Sequence, residues 1–130
     1  EKLVEGRAIS RMVDAQVWRT VRNVRDYECD GSVLRIVNST AFNSETGNHL
    51  CKEHRLTPNV IALLYSLQED YSVRCSFRSM EGGVVTARML AERFGGGGHD
   101  HAAGCRFDSF ASLEKGIGEM RHLLSTRGAA

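Results

Sequence analysis

The apolar positions of this chain change period along its length, and each change marks an element. Ile9, Val13, Val17, Val21 and Val24 recur at helical spacing, with Ala8 and Met12 beside them. This predicts an amphipathic helix over residues 3–25, with the pattern broken from Tyr27 to Gly31. Val33, Leu34, Ile36 and Val37 predict a strand over 32–38, and Asn43-Ser44-Glu45 opens a second helix running to about His54. Pro58 and Asn59 introduce the unbroken run Val60 to Leu67, which suits a strand covered on both faces. Gln68-Glu69-Asp70 turns the chain. Tyr71, Val73, Cys75 and Phe77 then alternate with Ser72, Arg74, Ser76 and Arg78, so residues 60–79 read as a β-hairpin.

Beyond Gly82-Gly83, Ala87, Leu90, Ala91 and Phe94 keep core-facing spacing, which predicts a helix over 84–94 closed by Gly95. Ala103, Cys105 and Phe107 alternate as another strand. Asp108 or Ser109 caps a last helix that turns Phe110, Leu113, Ile117, Met120 and Leu124 inward. Gly116 and Gly118 weaken it by roughly 1 kcal/mol each relative to alanine. Strands alternating with helices, apart from one hairpin, predict an α/β fold: a single domain with a mixed β-sheet flanked by helices. The opening Glu1-Lys2-Leu3-Val4 is already helical in pattern and has no start methionine. Residues 1–30 are therefore expected to be a linker helix from a preceding domain, 31–126 the domain itself and 127–130 a tail.

Charge narrows the reading. The net charge of +1 argues against a domain that grips long nucleic acid by bulk charge. The 17 basic residues are mostly arginine, which presents a planar fork to phosphate and carboxylate; genomic codon bias explains the same count equally well. The cysteines at 29, 51, 75 and 105 form no CxxC motif and read as buried free thiols. They suggest a reducing compartment, the cytoplasm or an organelle matrix. No apolar stretch reaches transmembrane length, so no membrane partner is expected.

The segment richest in chemistry is Gly95-Gly96-Gly97-Gly98-His99-Asp100-His101-Ala102-Ala103-Gly104. Four consecutive glycines cost much backbone entropy, so a folded chain keeps them where the main chain turns or another group comes close. We expect a loop whose N–H groups, with His99, cradle a phosphate or other anion. The run follows a helix C-terminus and has neither GxGxxG spacing nor a following GKS or GKT, so P-loop and dinucleotide-fold logic do not apply. Arg78, with Ser79, ends a strand on its polar face and is the best candidate guanidinium; read singly, it is also an ordinary surface arginine. Arg74 and His101 are expected at the rim, with Asp100 turned to solvent. His99 and His101 could both ligate a metal in an extended segment, but two ligands without a third do not make a site, so no metal is assigned. No GxSxG elbow is present, and Glu69-Asp70 sits in a turn, so no residue is assigned a catalytic role.

These residues carry a resemblance. The stretch VRCSFRSMEGGVVTARMLAERFGGGGHDHAAGCRF, Val73 to Phe107, resembles the DHH-associated domain, the C-terminal substrate-binding domain of DHH phosphoesterases. That family pattern is a strand ending in Arg-Ser, a helix, then Gly-Gly-Gly-His, two variable residues and Ala-Ala-Gly. Arg78-Ser79, Gly96-Gly97-Gly98-His99 and Ala102-Ala103-Gly104 match it. The resemblance covers about residues 32–125. It implies substrate contact by Arg78, Ser79, Gly96, Gly97, Gly98 and His99. It also implies a separate N-terminal DHH catalytic domain holding two divalent metals, usually manganese, that hydrolyse a phosphoester. Implied ligands are a short single-stranded oligonucleotide or a nucleotide phosphate, as in oligoribonucleases, 3′-phosphoadenosine-5′-phosphate phosphatases and RecJ-like exonucleases, and a homodimer of the full-length protein is possible. This chain has no Asp-His-His motif, and His99-Asp100-His101 is a different order in a different place. It should therefore be inactive alone, its parent a phosphodiesterase or phosphatase. A non-catalytic scaffold domain, and an RNA-binding domain related to alanyl-tRNA editing proteins, are the alternatives.

Overall fold

The computed structural model describes residues 2–41, 43–53 and 59–128. In chain order the elements are α1 (Lys2–Val21), β1 (Arg25–Cys29), β2 (Ser32–Asn38), α2 (Asn43–Lys52), β3 (Asn59–Leu67), β4 (Val73–Ser79), α3 (Ala87–Arg93), β5 (Gly97–His99), β6 (Ala102–Phe107) and α4 (Phe110–Gly128). The strands form one six-stranded sheet in the order β1-β2-β3-β4-β6-β5. Only β2 and β3 run parallel, joined by α2 as the crossover; every other neighbour is antiparallel. This is the mixed α/β sheet the hydrophobic pattern calls for.

Strand β3 lies centrally and is buried on both sides, as its unbroken apolar run requires. Ile61 and Leu63 join Leu34, Val73, Cys75, Phe77 and Phe107 in the larger core, beneath α3 and α4. Val60, Ala62 and Leu64 face the other way and pack with Val17, Val21 and Leu50 from α1 and α2. Helix α1 lies over β2, and α2 lies over β3 and the Arg78 end of β4. The same face of the sheet is left open over the rest of β4 and over β6 and β5.

Several expectations need correction. Residues 27–31 do end the helical pattern, but as ordered strand and turn, and the expected linker helix over 1–30 does not include them. Arg25–Cys29 is an edge strand paired with β2, and Asp30 and Gly31, at φ 49° and 89°, form the two-residue turn between them. Positive φ at both positions is what a type I′ hairpin needs, and Asp-Gly is its favoured sequence. Helix α1 ends at Val21, and Met12 is 69% exposed rather than packed beside the stripe. The side chains of Ala8 and Ile9, as well as His54, Pro58 and the last residues of the tail, lie outside the described residues. Tyr71 belongs to the turn before β4, with φ 67° and 76% exposure. Helix α3 starts at Ala87 rather than 84, because the Thr86 hydroxyl accepts the Met89 N–H as the N-cap.

Helix α4 begins at Phe110 after Ser109, whose hydroxyl accepts the Ser112 N–H. Leu113, Met120 and Leu124 are buried, whereas Phe110 is 44% exposed, edge-on to Tyr65. Gly116 has a packing reason: a Cβ there would lie 2.7 Å from the Phe107 ring, so its absence lets α4 close on the sheet. All four cysteines are free and buried. Cys75 and Cys105 stand directly opposite each other on β4 and β6. The hydrogen bond to Cys105, followed by burial, pushes the Cys75 thiol well up. No described helix is long and apolar enough to cross a membrane.

Candidate functional site

The open half of the sheet is where the singled-out residues meet. Ladder register decides which of them share a face, since paired residues point to the same side. Arg78 pairs with Ala102, and Ala102 with His99. Ser76 pairs with Gly104, and Gly104 with Gly97. The face thus carries a guanidinium at one side and an imidazole two strands away, roughly 10 Å apart at the backbone. Between them lie only Ala102, Gly104 and Gly97. The result is an open groove of about 1170 Å³, lined in part by Arg74, Ser76, Arg78, Gly97, His99 and Arg106.

Arg78 is set by its neighbours. Its stem crosses Gly47 of α2, where a Cβ would run into the Arg78 Cγ. Its Nη2 donates to the Ser44 Oγ at 2.8 Å, and its carbonyl oxygen accepts the Cys51 thiol. The guanidinium is thereby held at the border between α2 and the groove. Neither Gly47 nor Ser44 was singled out in the sequence. A glycine inside an otherwise regular helix was the available signal.

The glycine run is not the open loop expected. Gly95 takes φ 83°, and the N–H groups of Gly95 and Gly96 donate to the carbonyls of Glu92 and Ala91, a Schellman ending of α3. Those two amides are spent and cannot cradle an anion. Gly97 to His99 then form edge strand β5 against β6. A Cβ on Gly96 would stand 2.8 Å from the Cys105 Cα and closer still to the Gly104 carbonyl oxygen. Gly98 combines φ 147° with close approach to Ala103. Gly97 differs: a Cβ there meets nothing within 4 Å, and its φ is not in the left-handed region. The fold does not require glycine at 97. The bare position faces the groove.

Ser79 sits on the opposite side of β4 from Arg78. Its hydroxyl accepts the Ala87 N–H at 2.9 Å and bonds His101 Nδ1 at 2.8 Å, and its own N–H donates to the His101 carbonyl. Ser79 and His101 thus tie the β5–β6 turn to the start of α3. The side chain of Asp100 is exposed, with Oδ1 3.6 Å from Arg88 Nη1. Arg74 projects onto the open face, four residues before Arg78. Among the described residues no three His, Cys, Asp or Glu side chains gather where a metal ion could sit.

No family profile matches this chain. No curated protein matches it either. Solved structures do. The C-Ala domain of alanyl-tRNA synthetase from Aquifex aeolicus superposes with a TM-score of 0.60 at 14% identity, over 78% of this chain and 98% of that one. The pGpG-specific phosphodiesterase PggH from Vibrio cholerae gives 0.60 at 16% identity, over 94% of this chain. An exopolyphosphatase-related protein from Bacteroides fragilis gives 0.59 at 18% identity, over 86%. The fold is shared with these three proteins. The chain spans 40% of the phosphodiesterase and 36% of the exopolyphosphatase-related protein.

Proposed function

We propose that this chain is the substrate-holding domain of a DHH-type phosphoesterase and that its open groove binds the phosphate end of a nucleotide or short oligonucleotide. The observation that carries the reading is the shared row of Arg78 and His99 across a floor of alanine and glycine. Arg78 would form charge-assisted hydrogen bonds to phosphate oxygens, and His99 would donate from the far side. Gly97, Gly104 and Ala102 would let a ligand backbone lie close to the sheet. Gly96, Gly98 and Ser79 would, besides any contact with ligand, hold β5 and its turn in place. The metal ions and the hydrolytic step would belong to a separate catalytic domain. Two of the structural neighbours are, by name, a pGpG-specific phosphodiesterase and an exopolyphosphatase-related protein, which supports a phosphoester theme.

The near-complete overlap with the C-Ala domain favours a second reading, an RNA-binding accessory domain. Calorimetry separates the two. The first reading expects binding of adenosine 3′,5′-bisphosphate, weakened roughly tenfold or more by Arg78→Ala and by His99→Ala, as loss of a charged hydrogen bond implies. If both variants bind as wild type does, the site assignment fails. Tight binding of tRNA that ignores both substitutions would favour the second reading.

A further inference from the structure

The uncovered face continues past Arg78. Arg74 projects from the same side of β4, and its register partner Arg106 stands beside it on β6. Both are exposed and line the same groove as Arg78 and His99. The Arg74 side chain has no hydrogen-bond or ion-pair partner among the described residues. Arg106 Nη2 lies 3.3 Å from Asp70 Oδ2, and both side chains of that pair are mostly in solvent, so the pair holds Arg106 only weakly. Asp70 keeps its charge: the Ser72 hydroxyl, then the Ser72 N–H, pull its carboxyl below the usual range. With Glu69 it stands in the turn between β3 and β4, where two carboxylates repel phosphate and close that end of the groove. The guanidinium free to take an anion is therefore Arg74.

Four residues of extended strand separate Arg74 from Arg78, about 13 Å. A mononucleotide with phosphate at Arg78 does not reach that far. A stacked strand advancing about 3.4 Å per nucleotide covers the distance in roughly four units, and an extended strand in fewer. Between the two arginines lie Ser76, Gly104 and Gly97, a floor low enough for a sugar–phosphate backbone. Among the described residues no Phe, Tyr or Trp lines the groove, so the His99 ring is the one surface there on which a base could stack.

We propose that Arg74, assisted by Arg106, is a second phosphate subsite that grips an internal phosphate of an oligonucleotide whose end is held at Arg78. The inference rests on the phosphate-end reading and adds to it a ligand several nucleotides long, held by its backbone without regard to sequence.

The test compares two probes, adenosine 5′-monophosphate and 5′-phosphorylated tetraadenylate, on the wild-type chain, Arg74→Ala and Arg78→Ala by fluorescence-competition titration. Wild type is expected to bind the tetranucleotide at least tenfold more tightly than the mononucleotide. Arg74→Ala should weaken the tetranucleotide about tenfold, the loss of one charged contact, and leave the mononucleotide within twofold. The salt dependence of tetranucleotide binding should become shallower by about 0.7 in log–log slope. Arg78→Ala should weaken both probes. Tetranucleotide binding unchanged in Arg74→Ala overturns the second subsite and leaves the first intact. If wild type binds neither probe, the phosphate-end reading beneath it is overturned as well.

Discussion

Gly47→Ala tests whether Arg78 is held where the groove needs it. In an ordinary helix interior this change stabilises by about 1 kcal/mol. Here the new methyl would run into the Arg78 Cγ and lie 3.1 Å from its Cβ and 3.4 Å from its Cδ. Because Cγ is near the root of the side chain, a swing of the guanidinium alone does not relieve the clash; the first torsion must change. Leaving a rotamer well costs about 0.5–1.5 kcal/mol. Loss of the 2.8 Å bond to Ser44 costs up to about 1.5 kcal/mol at a partly exposed site. The two costs together outweigh the gain, with a net destabilisation of about 1 kcal/mol and a midpoint lower by several degrees. Binding should suffer far more. With its guanidinium displaced, the groove loses a charged contact of about 1.5–3 kcal/mol, a weakening of roughly 10- to 100-fold. Thermal unfolding and calorimetric titration with adenosine 3′,5′-bisphosphate read the two effects on one preparation. Gly118→Ala in α4 is the control: nothing lies within 4 Å of its Cβ position, so it should raise stability by about 1 kcal/mol and leave affinity alone. Affinity within twofold of wild type in Gly47→Ala would refute the reasoning.

Adjacent glycines should behave oppositely. Gly96→Ala forces a methyl into the β6 backbone and should lower the thermal midpoint by more than 5 °C, whereas Gly97→Val should fold with near-normal stability yet bind nucleotide phosphate at least tenfold more weakly. Equal stability of the two variants would show that the run has no such division of labour. Alkali should unfold the chain partly through Cys51. Burial pushes its thiol from the ordinary 9.0 up to about 11, so the native state keeps the proton after the unfolded chain has lost it. That contribution is complete below pH 9 and declines between pH 9 and 11, by about 2–3 kcal/mol in total. Denaturant titrations in reductant at both ends of the range should show Cys51→Ala losing less stability than wild type. Parallel losses would contradict this.

The reach of the sequence followed the range of the forces involved. Strands 32–38 and 73–79 were legible because burial on one or both faces imprints a period on adjacent residues. Strand β1 was missed because Arg25, Asp26 and Glu28 hide the alternation of an edge strand, though Asp30-Gly31 announced its turn. The glycine run was expected as an open loop and is instead a helix ending followed by an edge strand: side-chain absence is visible in sequence, but the reason for each absence is not. Gly96 answers to the β6 backbone, Gly97 to nothing within the fold. The row joining Arg78, Ala102 and His99 depends on β6 inserting between β4 and β5, a long-range order that no local pattern encodes. The same holds for Gly47, whose small size serves a side chain 31 positions away.

The central claim is that the half-covered sheet face between α2 and β5 receives the phosphate end of a nucleotide. Amide chemical-shift mapping during titration with adenosine 3′,5′-bisphosphate tests it most directly. The largest shifts should fall on residues 76–78 and 97–104, with the Arg78 and His99 side-chain signals moving at the same ligand concentration. Shifts confined to the outer surfaces of α1 or α4, or none at millimolar ligand, would contradict it.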